Sequence, residues 1–161
     1  GTGRGMPIRH IPVRYRDAVL PEHLAGHTPV VRVTRAIAFS ASLRYQNGRL
    51  TDAENAELFG LSAHQHGHNY RLEVTVKGDP DPRTGMVINL VDLKAILERE
   101  VMSRFDHKDL NRDTDFFKVA PPTPENLASV IHEVLVAALP DGMFDRLRLF
   151  QDSDLYVDVV G

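Results

Sequence analysis

His68–Lys77 reads HNYRLEVTVK, and from Arg71 onward it alternates polar and apolar residues, with Leu72, Val74 and Val76 on one side. A period of two is the signature of a strand with one buried face. Gly78, Asp79, Pro80, Asp81 and Pro82 follow at once and supply the turn chemistry that ends it. Upstream, the run from Val31 to Ser42 is rich in β-branched residues and alternates in its first half, which predicts another strand. Polar Gln46 to Arg49 breaks that strand. Thr51 and Glu54 then stand three apart, as in a capping box, ahead of a short helix ending at Gly60.

Downstream, Asn89 or Asp92 can cap a helix whose apolar residues Leu93, Ile96, Leu97, Val101 and Phe105 follow helical spacing. Thr123 as cap and Pro124 at the first position open a further helix that buries Leu127, Val130, Ile131, Val134 and Leu135. The chain closes on LRLFQ (147–151), a polar turn at Asp152–Asp154, and LYVDVV (155–160), the pattern of a hairpin. The order of the main elements is strand, strand, helix, helix, strand, strand. It predicts an α+β fold: a four-stranded antiparallel sheet with two helices on one face. Such a sheet leaves its other face and its edges bare, so a homo-oligomer that closes a β-barrel is expected.

Residues 1–30 carry Pro7, Pro12, Pro21 and Pro29 with no sustained period, and read as an N-terminal arm whose first five residues look like an expression scar. Residues 31–161 form the one expected domain. A net charge of -3 provides no basic field to neutralise phosphates along a nucleic acid, so nucleic acid is not an expected partner. No apolar stretch approaches the ~20 residues of a membrane helix. No membrane partner is therefore expected, and the cytoplasm is the expected location.

Of eight histidines, His64, His66 and His68 fall within five positions. His66 and His68 flank Gly67 at the head of a strand, so the period of two puts both imidazoles on one face. That spacing suits two ligands of one metal ion and equally suits two ordinary hydrogen-bonded histidines. A catalytic zinc site takes three protein ligands and an open position. The chain has no cysteine, which excludes disulfides, thiolate metal sites and any thiol nucleophile or base.

FSAS (39–42), HGHNY (66–70), TGMVINLVDLK (84–94), FDHKDLN (105–111) and PTPENLA (122–128) occur in the order and spacing of the 6-pyruvoyl- and 6-carboxy-tetrahydropterin synthase family, which this chain resembles over most of residues 33–160. The resemblance implies the tunnelling fold, a hexamer of two stacked trimers, a subunit-interface pocket for a pterin-like small molecule, and lyase chemistry. It also implies a zinc site of three histidines. His66 and His68 match two of them, Leu43 replaces the third, and His64 is the remaining candidate substitute. Ser62 stands at the offset of the family's catalytic cysteine. A serine hydroxyl without an adjacent base is too weak an acid to take its place. Asp106 and His107 match the family's proton-relaying pair; His107 would also suit the C-terminal pole of a helix. Thr123 and Glu125 match pterin-pocket positions. Gln151 replaces a glutamate that accepts from the pterin's amino group and ring N–H.

These substitutions lead to the expectation of a homologue that keeps the pocket and lacks ordinary synthase activity, with no cofactor and an incomplete zinc site. Two other readings accompany it. One is a pterin lyase or aldolase-like enzyme working through Asp106 and His107, with or without zinc on His64, His66 and His68. The other is a non-catalytic oligomeric scaffold.

Overall fold

The structure, a computed structural model, describes residues 29–161. The expected N-terminal arm therefore lies outside the described residues except for Pro29 and Val30. Strand β1 (Val31–Leu43) and strand β2 (His66–Gly78) pair antiparallel over their full length, from Val31 opposite Gly78 to Leu43 opposite His66. Strand β4 (Phe144–Asp152) pairs with β2, and β5 (Leu155–Val160) pairs with β4, both antiparallel.

The sheet has five strands in the order β3-β1-β2-β4-β5, which corrects the expectation of four antiparallel ones. The added strand, β3, is only Lys108–Asp109 and runs parallel to β1 at Ala41 and Ser42. Two residues are too few to show a period, so the sequence carried no signal for it. His107, in the left-handed region at φ 58, turns the chain from the preceding helix into this strand.

Helix α1 (Asp52–Phe59) has the reciprocal capping box: Glu54 N–H donates to the Thr51 hydroxyl, and Thr51 N–H to the Glu54 carboxylate. Helix α2 (Leu90–Leu97) is capped by Asn89, and runs through a π-helical turn at Glu98–Met102 into a last α-turn at Ser103–Phe105. Leu93, Leu97, Val101 and Phe105 are all buried. Four residues turn an ideal α-helix through about 400°, so a strict four-residue spacing drifts around its surface. The wider π turn re-phases the helix and keeps all four on the core. Helix α3 (Pro124–Ala138) begins, as the sequence predicts, with Thr123 as cap and Pro124 in the first turn.

The inner face of the sheet carries Phe39, Ala41 and Leu43 from β1, Tyr70, Leu72, Val74 and Val76 from β2, and Leu147 and Leu149 from β4. These pack with Leu93, Leu97, Leu127, Ile131 and Leu135 of α2 and α3 in a single core. Each fully buried aliphatic side chain contributes roughly 1.5–3 kcal/mol over an exposed one. The alternate residues give the outer face a polar character. Arg148 holds Asp158 through two hydrogen bonds of 2.8 and 3.0 Å with its guanidinium 4.0 Å from the centre of the Tyr156 ring, and the Thr34 and Thr75 hydroxyls are 2.7 Å apart. No described helix is long and apolar enough to cross a membrane.

Candidate functional site

The period of β2 keeps His66, His68 and Tyr70 on the same face as Leu72 and Val74, but at the end of the strand where the histidines are only partly covered. Their rings form a row. Tyr45 lies 5.8 Å from His66, His66 lies 5.2 Å from His68, His68 lies 5.7 Å from Tyr70, and Tyr70 stacks on Phe39 at 5.0 Å. Gln151 comes in from β4 on the same parity as Leu147 and Leu149; it is 9% exposed, with Oε1 3.4 Å from the Tyr45 hydroxyl. The His66 Nδ1–H donates to the His64 carbonyl at 2.7 Å, which leaves Nε2 as its free nitrogen.

Asp152 departs from the strand's alternation. The parity of β4 sends it to the other face, but a bulge between Phe150 and Asp152 re-aims it so that its carboxylate comes within 3.6 Å of His68 Nδ1. Burial lowers the His68 pKa, and the neighbouring Asp152 charge opposes that shift without reversing it. The Tyr45 phenol is pushed up by burial and then by the charges of Glu125 and Asp152, which brings Glu125 within electrostatic reach of the same cluster. Tyr70 is 1% exposed, its hydroxyl has no partner among the described residues, and burial raises its pKa.

Ser62 sits in a 3₁₀ turn, Gly60–Ala63, and its carbonyl accepts from the Tyr45 N–H at 2.7 Å. The place matching the family's thiol therefore adjoins the Tyr45 backbone. Thr123 spends its hydroxyl on the N–H of Asn126 as the helix cap. His64 is exposed and meets the site through its carbonyl rather than its ring.

Asp106 and His107 lie at the edge where β3 joins β1. The Asp106 carboxylate accepts from the Ser40 N–H at 3.0 Å and lies 2.9 Å from His107 Nδ1, while the His107 N–H donates to the Ser40 carbonyl at 2.6 Å. The Ser40 N–H, and then His107, hold the Asp106 carboxyl below its ordinary value. His107, with its side chain 83% exposed, borders a hollow with Ser40, Ser42, Gly67 and Asn69. The serines and Asn69 belong to the sheet parity that faces away from the helices. His68 also borders that hollow, but its ring lies with those of His66 and Tyr70, so the hollow and the row of rings stand on different faces of the sheet.

The zinc site implied by the resemblance does not fit these residues. Leu43, fully buried, stands directly across from His66, and among the described residues no group of three or more histidine, cysteine, aspartate or glutamate side chains is placed to hold a metal ion. A leucine offers no lone pair.

Sequence reasoning assigned no role to Tyr45 or Tyr70. Tyr45 lies beyond the end of β1, so strand parity does not place it, and its ring meets that of His66 only in the folded chain. Tyr70 is the last residue of the HGHNY motif, and its parity with His66 and His68 is the signal that could have placed it in the row.

The sequence model described as 6-pyruvoyl tetrahydropterin synthase matches residues 32–161. A Pongo abelii protein named 6-pyruvoyl tetrahydrobiopterin synthase is 43% identical over 135 residues, 82% of this chain and 93% of its own length. The Drosophila melanogaster protein of that name is 49% identical over 105 residues, covering 64% of this chain and 62% of its own length. The solved Caenorhabditis elegans 6-pyruvoyl tetrahydropterin synthase superposes with a TM-score of 0.77 at 33% identity, over 83% of this chain and 96% of its own.

These relatives overturn the expectation that synthase activity is lost, since proteins this similar are themselves named as synthases. The physical reason is that a missing thiol identifies a proton carrier that is not there, and does not exclude other groups from moving the same proton. The shared sequence and the shared fold place this chain in the 6-pyruvoyl tetrahydropterin synthase family.

Proposed function

We propose that this protein is a pterin lyase of the 6-pyruvoyl tetrahydropterin synthase type. The observation that carries the reading is the meeting of His66, His68, Tyr45 and Gln151 at one end of the sheet, with the Asp106–His107 pair bound to the Ser40 backbone, whose partner across the β1–β2 ladder is Asn69, next to His68. Converting a phosphorylated dihydroneopterin to 6-pyruvoyl tetrahydropterin breaks the bond from side-chain carbon to phosphate oxygen, releases the phosphate as a free anion, and shifts protons from side-chain carbons to the ring, so a group must take a proton at one atom and return it at another. His107 is the residue proposed to carry that proton: Nδ1 lies 2.9 Å from the Asp106 carboxylate, which leaves Nε2 to accept or return it. Gln151 and Glu125 are the groups proposed to orient the ring. In the solved Plasmodium vivax 6-pyruvoyltetrahydropterin synthase a glutamate is a catalytic residue. That enzyme shares this fold, with a TM-score of 0.62 at 14% identity.

The substrate in this reading carries phosphate. A Pyrococcus furiosus relative, 34% identical over 58% of this chain, is named dihydroneopterin monophosphate aldolase, which is a phosphorylated-pterin activity. Copies of the chain are proposed to close a barrel as a hexamer of two trimers in the cytoplasm; the exposed outer sheet face, between the β3 and β5 edges, supports that arrangement.

The test is direct. The purified protein is incubated with mono- and triphosphorylated dihydroneopterin, and 6-pyruvoyl tetrahydropterin is sought by chromatography with mass detection. Its appearance in the wild type, and its suppression in His107→Asn, is the expected result. Failure of the wild type to convert either compound ends the reading.

A further inference from the structure

The chain's one Asn-Gly pair, Asn47–Gly48, lies in the loop that joins β1 to α1. Asparagine is among the thermolabile residues. A following glycine has no side chain to shield its amide nitrogen, which is then open to attack the asparagine side chain. Here the fold holds that nitrogen back. The Gly48 N–H donates to the Val119 carbonyl at 2.9 Å, and a Cβ at Gly48 would collide with the neighbouring Lys118 carbonyl, so the two segments lie in direct contact. Lys118 fastens its own segment in turn: Nζ donates to the carbonyls of Asn111 and Arg112 at 3.3 and 3.1 Å.

Asn55 of α1 holds the other side of the loop. It is 4% exposed; its Oδ1 accepts from the Asn47 N–H at 2.8 Å, and its Nδ2 donates to the carbonyls of Asn47 and Thr51 at 3.2 and 3.0 Å. Asn47 Oδ1 accepts from the Arg49 N–H at 2.9 Å, while the Asn47 side-chain NH2 has no partner among the described residues. The same frame seats Tyr45, whose N–H donates to the Ser62 carbonyl and whose ring lies 5.8 Å from those of Phe59 and His66.

We propose that Asn47 is a deamidation site, silent while the Gly48–Val119 clasp is closed and reactive when it opens. On opening, the Gly48 nitrogen gives its proton to solvent and bonds to Asn47 Cγ; the Cγ–Nδ2 bond breaks and ammonia leaves, which forms a succinimide. Water then adds to one of the two ring carbonyls and opens the ring, to aspartate or to isoaspartate. Aspartate keeps the oxygen that receives the Arg49 N–H. Isoaspartate instead reroutes the main chain through Cβ and turns the Asn47 carbonyl, the acceptor for the Leu50 N–H at 3.1 Å and for Asn55, into a free carboxylate. The loop then no longer fits between Asn55 and Val119, and Tyr45 loses its seat beside His66. This inference stands apart from the pterin reading, since it needs no ligand.

The full chain is incubated in mildly alkaline buffer with and without denaturing urea, and peptide mapping by mass spectrometry follows the gain of about one dalton at Asn47. The folded wild type should react roughly tenfold more slowly than the unfolded one, or slower still. Asn55→Ser, which removes the buried tie, and Lys118→Met, which frees the Val119 segment from the surface, should each speed the folded reaction about tenfold and leave the rate in urea unchanged. Hydrogen exchange at the Gly48 amide should quicken in step. Lys118 is exposed, so K118M keeps the test open if N55S does not fold. A wild-type rate equal in the two buffers, or folded rates that neither variant raises, overturns the gated site. The isoaspartyl form, separated by ion exchange, should unfold at a lower temperature than N47D; equal midpoints overturn the damage assigned to the loop.

Discussion

Leu43 and His66 face each other across the antiparallel ladder of β1 and β2, at the last pair of its register. Their side chains share the inner face, and His68 lies one step along it with its ring 5.2 Å from that of His66. The Leu43→His variant would therefore put a third imidazole beside two existing ones. Without metal, an imidazole in place of a fully buried leucine should cost about 1–3 kcal/mol, since a polar group loses water there with no built partner. With zinc, the three nitrogens complete the donor set of a tetrahedral site with one open position. Metal analysis of L43H after zinc loading should give close to one ion per chain, with recovery of the lost thermal stability. An L43H protein that takes up no more zinc than the wild type would show that the strand pair does not aim the three rings at one point.

Asp106 contributes a pH-dependent share of stability. Its carboxyl is held below the ordinary aspartate value of 3.8 chiefly by the Ser40 N–H and then by His107. A group with a depressed folded pKa stabilises the fold above the unfolded value and loses that contribution as pH falls through the folded one. The Asp106→Asn variant should accordingly unfold at lower urea concentration than the wild type at pH 7. The gap should close as pH drops below 3.8 toward the lower folded value. A gap that stays constant down that range would mean that the contacts of Asp106 do not depend on its charge.

Tyr70 presents the opposite situation, a buried polar group with nothing to bond. Removing such an orphan relieves a desolvation cost on the order of 1–3 kcal/mol while keeping the ring that stacks on Phe39. Tyr70→Phe should leave the thermal midpoint unchanged or raise it. A clear fall would reveal a partner for the hydroxyl, such as an ordered water bridging toward Tyr45 or Asp152.

How far the sequence reveals this protein depends on the range of the interaction concerned. β2 and both long helices were legible because Leu72, Val74 and Val76, or Leu127, Ile131 and Leu135, repeat with a period fixed by local geometry. The caps Thr51, Asn89 and Thr123 were legible for the same reason, since each acts on N–H groups two or three residues away. Strand β3 was not, because it exists only through hydrogen bonding to residues more than sixty positions earlier. Asp152 required a bulge, and the Gly48–Val119 clasp required the folded chain, so neither could be read from spacing. The missing thiol was certain from composition, yet it was a poor guide to activity, because proton transfer is a property of the assembled site.

Gln151 offers the sharpest test of what the pocket recognises. A glutamine presents one acceptor oxygen and two donor hydrogens, whereas the amino group and ring N–H of a pterin form an edge of two donors. Gln151→Glu would provide two acceptor oxygens and a charge, the bidentate match for that edge. The new carboxylate would also be largely buried, beside Asp152 and within reach of the field of Glu125, so burial and like charge should raise its pKa. A raised folded pKa means that the native state holds the proton more tightly than the unfolded chain. The variant should therefore lose stability relative to the wild type as pH rises from the ordinary glutamate range, near 4.3, through the raised value. Pterin binding reverses that trend, because the ligand's donors favour the ionised form. Fluorescence titration at pH 7 should show Q151E binding a pterin about tenfold more tightly than the wild type, with thermal stability that falls with pH in the free protein and far less in the complex. Equal affinity in the two proteins would mean that Gln151 does not meet the ligand edge, and its contact with Tyr45 would then be structural.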